Sequence, residues 1–273
     1  MDDPLLDEHM EKMKPYLMKW HREHSVMLLT SPYITLHYEV VMEGFAPPKD
    51  MLCQSYLYSI TEAFRELVRT HYYAQAAYQI EIELREKGDV GWSNYWKFEV
   101  KNYYFRMVIP RIISLLDYVA VMINELSGCE LVKDEWKVYF NPLKSLLRKQ
   151  KQEVGWLSLK EIEELNLILS PIYKDISRED RKILNRYRNT ATHRYFVGID
   201  ELTVSFQRRK LSEIDQRMLN TQQTHSYGMR GRPEYTFDEL NTTAEKLLSN
   251  LDGVLSKLMQ MHMMKRSVKQ MEE

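Results

Sequence analysis

The sequence predicts an all-α protein folded as an up-and-down helical bundle. Only 9 glycines and 9 prolines occur among 273 residues, and 44% of the chain is hydrophobic. A composition poor in Gly and Pro favours helices joined by short turns. Apolar residues also recur at three- and four-residue spacing along several long segments, as expected for helices that bury one face.

Helix-start residues, chain breakers and apolar periodicity together define the predicted elements. The predicted helices cover residues 4–24, 51–87, 94–126, 134–151, 158–169, 177–198, 212–222 and 237–265. Ser93 suits the N-cap of the third of these helices, and Gly198 suits the stop of the sixth. Residues 31–43 are the one convincing extended run and could form a short β-hairpin. Residues 202–209 could be extended, and residues 224–235 are predicted to be an exposed loop.

Charge and cysteine content limit the classes of function. The two cysteines imply no disulfide framework, and the acidic N-terminal residues lack an apolar signal core, so we predict a cytoplasmic protein. The most apolar stretch, residues 107–128, carries Arg111, Asp117 and Glu125, which favours a core helix over a membrane span. The net charge of −1 means that any nucleic-acid contact must come from a local basic patch.

The segment ILNRYRNTATHRYFVG, residues 183–198, concentrates polar residues able to do chemistry on one predicted helix. Placed on a helical wheel, its apolar stripe and its outward face separate clearly. The predicted inward stripe is Leu184, Tyr187 and Ala191, with Tyr195 if the helix continues, and the predicted outward residues are Arg186, Asn189 and His193. Arg188 lies between the two faces.

An outward histidine is not explained by core packing, but a solvated polar face remains an alternative. The bare spacing Arg-x4-His is also expected by chance about 0.5 times in a chain of this composition. A purely structural helical bundle, in which the motif arose by chance, therefore remains a further interpretation.

The residues RNTATHRY, 188–195, resemble the Arg-x4-6-His signature of the HEPN superfamily (higher eukaryotes and prokaryotes nucleotide-binding). They are similar in particular to the Arg-x4-His-x-Tyr form of HEPN toxins that are paired with nucleotidyltransferase antitoxins. The resemblance implies one elaborated helical domain over residues 1–273, with a HEPN-like core at about 94–265 and an N-terminal helical extension at about 1–90. It also implies a homodimer in which two such motifs face one another, often forming a metal-independent ribonuclease.

These residue types fit RNA cleavage without a metal. His193 can transfer protons near neutral pH, Arg188 offers a planar fork to phosphate oxygens, and Asn189 could orient His193 or bind phosphate. Two proton transfers from a chain with one such histidine suggest a second copy from a partner protomer. Arg181, Arg186 and Arg194 make the segment locally basic, and we expect them to contact the RNA backbone.

The sequence thus predicts a dimeric HEPN-type endoribonuclease, in a defence or toxin–antitoxin context, that needs neither metal nor cofactor. The expected partners are RNA, a second copy of the chain bound through the Arg188–His193 face, and a nucleotidyltransferase antitoxin. The alternative is a non-catalytic helical module that binds a nucleotide or a partner protein. Whether the protein is an enzyme stays open at this point.

Overall fold

The structure, a computed structural model, describes residues 4–23, 48–193 and 196–261. Its long helices and short elements are, in chain order, α1 (Pro4–Glu23), α2 (Pro48–Glu86), α3 (Val90–Tyr95), a π-helical turn (Trp96–Lys101), α4 (Asn102–Leu126), a 3-10 turn (Glu135–Lys137), α5 (Phe140–Lys149), α6 (Leu159–Leu169), a 3-10 turn (Ser170–Tyr173), α7 (Arg178–His193), β1 (Phe206–Lys210), α8 (Glu213–Met218), β2 (His225–Met229) and α9 (Phe237–Gln260). The all-α prediction is confirmed. The hairpin predicted near residues 31–43 lies outside the described residues.

The core is formed mainly by α2, α4 and α9. Helix α4 packs along α2 and also contacts α5, α7 and α9. The apolar stripe of α9 is buried from Leu240 to Leu258, in keeping with the three- and four-residue spacing of apolar residues from which this helix was predicted. Among the described residues, the continuous helical stretch Val90–Leu126, which comprises α3, the π-helical turn and α4, is long and apolar enough to cross a membrane by length and composition alone. More than half of its most apolar window is buried inside the protein. One continuous hydrophobic cluster includes residues of α2, α4, α5, α6, α7 and α9.

Side-chain caps fix several helix starts. Ser158 and Glu161 form a reciprocal capping box at α6, and Ser212 and Asp215 do the same at α8. The predicted N-cap at Ser93 is wrong, because the helix begins earlier, with Asp89 accepting from the Trp92 amide at 3.2 Å. Ser93 lies inside α3, where its hydroxyl instead donates to the Glu81 carbonyl oxygen.

Gly198 also differs from its predicted role as a helix stop. Helix α7 is described only to His193, and Gly198 lies in the following loop. Its amide donates to Thr203 Oγ1 at 3.2 Å, and a Cβ at this position would approach the side chains of Thr203 and Glu201 to 2.7–2.8 Å. Any larger residue here would therefore require the side chains of Thr203 and Glu201 to shift.

Strands β1 and β2, which lie between α7 and α9 in the chain, form a two-stranded antiparallel ribbon. The prediction that residues 224–235 are a loop is wrong over His225–Met229, which pairs with the extended run that the sequence did suggest. Backbone hydrogen bonds continue past the strands at both ends, from the Leu211 amide to the Thr224 carbonyl and from the Arg230 amide to the Ser205 carbonyl. Strands that pair across an intervening helix leave no periodic pattern in the local sequence from which their pairing could be predicted.

A buried lysine, Lys101, links the loop that precedes the ribbon to the helical core. Lys101 is 1% exposed, and its Nζ donates to Glu81 Oε2 at 2.9 Å and to Asp200 Oδ2 at 3.0 Å. The same ammonium group lies 4.5 Å from the centre of the Phe237 ring. Asp200 Oδ1 accepts from the Phe237 amide in the first turn of α9. Lys101 thus joins α2, the π-helical turn, the loop after α7 and the start of α9.

Candidate functional site on helix α7

Helix α7 begins as the sequence predicts and carries the candidate residues toward its C-terminal end. Ser177 Oγ accepts from the Asp180 amide at 3.0 Å, and Asp180 Oδ2 accepts from the Ser177 amide at 3.3 Å. This reciprocal cap satisfies backbone donors at the first turn and fixes the register of the helix. The register in turn determines which face of α7 each later residue occupies.

The inward face of α7 is close to the predicted one but rotated. Leu184 and Tyr187 are buried as predicted, whereas Ala191 is exposed and Thr190 is buried instead. The expectation for Ala191 is therefore wrong, because the helix turns Thr190 toward the inside, where it lies near Tyr235. Asn189 and Arg186 are exposed, which is the outward placement that the wheel indicates.

Arg188 is half-buried at the border between the two faces. Its Nη1 donates to Asn189 Oδ1 at 3.1 Å. Its charge also acts on Asp117 of α4, whose Oδ1 accepts from the Phe140 amide at 3.0 Å. Burial raises the pKa of the Asp117 carboxyl, and the Phe140 amide and the Arg188 charge oppose that rise. The guanidinium is thus hydrogen-bonded to an exposed amide and lies within electrostatic range of a half-buried carboxylate.

Among the remaining predicted site residues, the structure describes the side chains of Arg181 and Arg186, which lie in different surroundings. Arg186 is exposed, and its charge lowers the pKa of Tyr235, against the larger raising effect of burial. Arg181 lies 5.0 Å from the centre of the Tyr173 ring and shares the Arg188 side of the helix. His193 is the last residue of α7, but its side chain is outside the described part of the structure, as are Arg194 and Tyr195. The structure therefore brings Arg188 and Asn189 together.

A further cation, Arg106 of α4, lies near the C-terminal end of α7, and the sequence offered no reason to assign it to the site. Arg106 of α4 stacks 4.0 Å from the centre of the exposed Phe196 ring, and its charge acts on the buried Tyr187 hydroxyl. Burial raises the pKa of Tyr187, and its hydroxyl makes no hydrogen bond within the described residues. Arg106 and Asp117 are both half-buried and hydrogen-bonded, so they are satisfied polar groups at the edge of the core. An arginine inside an apolar helix was the available signal for this cation.

Lys144 of α5 is a buried cation on the Arg181 side of α7. It is 8% exposed, and its Nζ donates to the Leu169 carbonyl oxygen at 2.6 Å. Burial first, and then the charges of Arg148 and Arg181, lower the pKa of Lys144 to about 8. The sequence offered no indication of this, since the lysine lies in an otherwise ordinary amphipathic helix.

This lowered pKa predicts a specific pH dependence of stability. Between pH 8 and the ordinary lysine value of 10.5 the unfolded chain binds more protons than the folded one at Lys144, so this residue makes stability rise with pH. We expect Lys144→Met to reduce the difference in unfolding free energy between about pH 7.5 and 10 by roughly 2 kcal/mol relative to wild type. Urea unfolding of both proteins at the two pH values measures this. An unchanged difference would mean that Lys144 is not desolvated in the folded state.

A comparison with protein-family models, curated proteins and solved structures finds no match to this chain. Within the described residues, no group of three or more His, Cys, Asp or Glu side chains is placed to hold a metal ion. The interpretation of α7 therefore depends on its own residues.

Proposed function

We propose that the protein is a metal-independent endoribonuclease of HEPN type that acts as a homodimer. The observation that carries this proposal is the half-buried Arg188, hydrogen-bonded to Asn189 and close enough to Asp117 for its charge to lower that carboxyl's pKa, on the helix that ends at His193. A guanidinium held in one orientation loses little freedom when it binds phosphate, and its planar fork suits two phosphate oxygens. We also infer that the protein acts in the cytoplasm, in a defence or toxin–antitoxin setting.

The proposed reaction is transesterification within RNA. A base removes the proton of the 2′-hydroxyl, the 2′-oxygen attacks the adjacent phosphorus, and the bond to the 5′-oxygen breaks as an acid donates a proton to that oxygen. The products are a 2′,3′-cyclic phosphate and a 5′-hydroxyl. His193 serves in the proton transfers, Arg188 stabilises the negative charge on the phosphorane, and Asn189 orients the imidazole or the phosphate.

The proposed site is completed by a second copy of the chain. One histidine cannot be base and acid at the same moment, so the imidazoles of two protomers share the two tasks. A two-fold axis near the end of α7 would bring the exposed faces of two α7 helices together. Arg181, Arg186 and Arg194 would then border the site and contact the phosphate backbone on either side.

The decisive experiment is cleavage of a mixed RNA pool by the purified protein in excess EDTA. We expect fragments that end in 2′,3′-cyclic phosphate, and we expect activity to fall when excess His193→Ala protein exchanges subunits with wild type. Intact RNA across a range of salt and pH would contradict the nuclease. Cleavage that resists excess His193→Ala protein would contradict only the shared site.

A non-catalytic module that binds a nucleotide or a partner protein is the second candidate. The observation that favours it is the hydrogen bond from Arg188 to Asn189, because such a guanidinium can be an anion-binding or structural group without any role in catalysis. A nucleotidyltransferase antitoxin is the partner expected under the toxin interpretation. Nucleotide binding, measured by calorimetry with Arg188→Ala as the comparison, in a protein that leaves RNA intact would support the module.

A further inference from the structure

The β1–β2 ribbon exposes an unusual set of side chains on one face. Side chains alternate between the faces of a strand, so residues 206, 208 and 210 share a face with their cross-strand partners 229, 227 and 225. Phe206 is 61% exposed, Tyr227 is 66% exposed and Met229 is 77% exposed. Large apolar side chains grouped on an exposed surface indicate an interaction site.

The two aromatic rings are arranged as a pair. The ring centres of Phe206 and Tyr227 are 6.1 Å apart and their planes are inclined by only 16°. The two residues are diagonal neighbours across the ribbon, since Phe206 lies opposite Met229. Because more than half of each side chain remains exposed, a flat ligand can stack on either ring.

Positive charge accompanies the aromatic pair. Arg208 and Lys210 are exposed on the same face, and Arg208 Nη2 lies 2.9 Å from His225 Nδ1. Arginine can only donate, so His225 Nδ1 is the acceptor in this contact. Residues 206–232 contain six arginines and lysines against two carboxylates, although the whole chain has a net charge of −1. This local excess is complementary to a polyanion.

We propose that this ribbon face binds single-stranded RNA, with bases stacked on Phe206 and Tyr227 and phosphates held by Arg208 and Lys210. Proteins that bind single strands combine these two features, a basic track and aromatic side chains that stack on bases. A symmetric contact between two copies of this face would instead bring like charges together. The binding itself is independent of catalysis. The further step, that the ribbon presents substrate to α7, rests on the proposed function.

The test uses a fluorescent 2′-O-methyl oligonucleotide of about twelve residues, a length that spans this kind of site. It lacks the 2′-hydroxyl nucleophile, so binding is measured whether or not the protein cleaves RNA. We expect Phe206→Ala and Tyr227→Ala each to weaken binding by about 10-fold. Arg208→Ala should lower the slope of log affinity against log salt by about 0.7. Trp136→Ala, which removes an aromatic that is 90% exposed on another element, should bind like wild type.

An abasic oligonucleotide of the same length separates stacking from charge. The aromatic variants should bind this probe as wild type does, because it offers phosphates but no bases. Equal losses on both probes, or no loss on either, would overturn the proposal. If Phe206→Ala instead converts a dimer to a monomer in sedimentation, the face is an interface between protein chains. RNA binding without cleavage would contradict the nuclease and leave the ribbon proposal intact.

Discussion

Arg188→Ala is expected to lower RNA cleavage by at least about 100-fold, because it removes the charge that stabilises the phosphorane. Arg188→Lys keeps the positive charge but loses the planar fork, so we expect most of the same loss. His193→Ala is expected to lower cleavage by about 100- to 10,000-fold, the usual contribution of a general acid or base. Initial rates on a defined RNA, measured in EDTA, test all three variants.

Lys182→Ala is the matched control for these variants. Lys182 is an exposed cation on the same helix, and it pairs with Glu179 at 3.0 Å. We expect its removal to leave cleavage close to wild type. Thermal unfolding of every variant shows whether the fold is kept, which matters because Arg188 is half-buried and its charge acts on Asp117. A folded Arg188→Lys protein with full activity would rule out the proposed role of the guanidinium.

Lys101→Met is expected to be the most destabilising of the substitutions considered. It leaves Glu81, which is 3% exposed, without its buried counter-charge. Removing one member of a buried ion pair costs about 3–5 kcal/mol, whereas replacing both members costs much less. The free energy of unfolding in urea measures the loss, and the double variant Lys101→Met, Glu81→Gln should recover part of it.

Lys137→Met provides the comparison for a surface ion pair. Lys137 contacts Asp134 Oδ2 at 2.6 Å, a shorter contact than either one made by Lys101, but its side chain is 75% exposed. Exposed pairs contribute about 0–1 kcal/mol, so we expect little change. Similar effects of Lys101→Met and Lys137→Met would show that the Lys101 contacts contribute no more than surface ones.

The sequence was sufficient for features that depend on local spacing. The start of α7 at Ser177, the outward placement of Asn189 and the buried leucines of α9 all follow from caps and from a period of 3.6 residues. The inward face of α7 contains Thr190 where the helical wheel placed Ala191. The predicted face is therefore wrong by one residue at this point, and neighbouring residues on a helix point about 100° apart.

Features that depend on distant contacts could not be predicted in the same way. The ion pairs of Lys101 join positions 20 and 99 residues apart, and the strands of the ribbon are separated by α8. The effect of the Arg188 charge on Asp117 is of the same kind, because packing and not helical phase brings α4 and α7 together. In the candidate site, the residue types and their helix were predictable, while the proximity of Asp117 to Arg188 was not.

The ribbon leaves and rejoins the bundle at almost the same point. The Arg230 amide bonds to the Ser205 carbonyl at 2.8 Å, and further in the Asp200 amide bonds to the Tyr235 carbonyl at 3.0 Å. A segment whose two ends are adjacent can be lengthened, shortened or exchanged without moving the helices that flank it. Target choice could therefore diversify in the ribbon over evolution while the chemistry of α7 stays fixed, and the same junction offers a place to graft another recognition element.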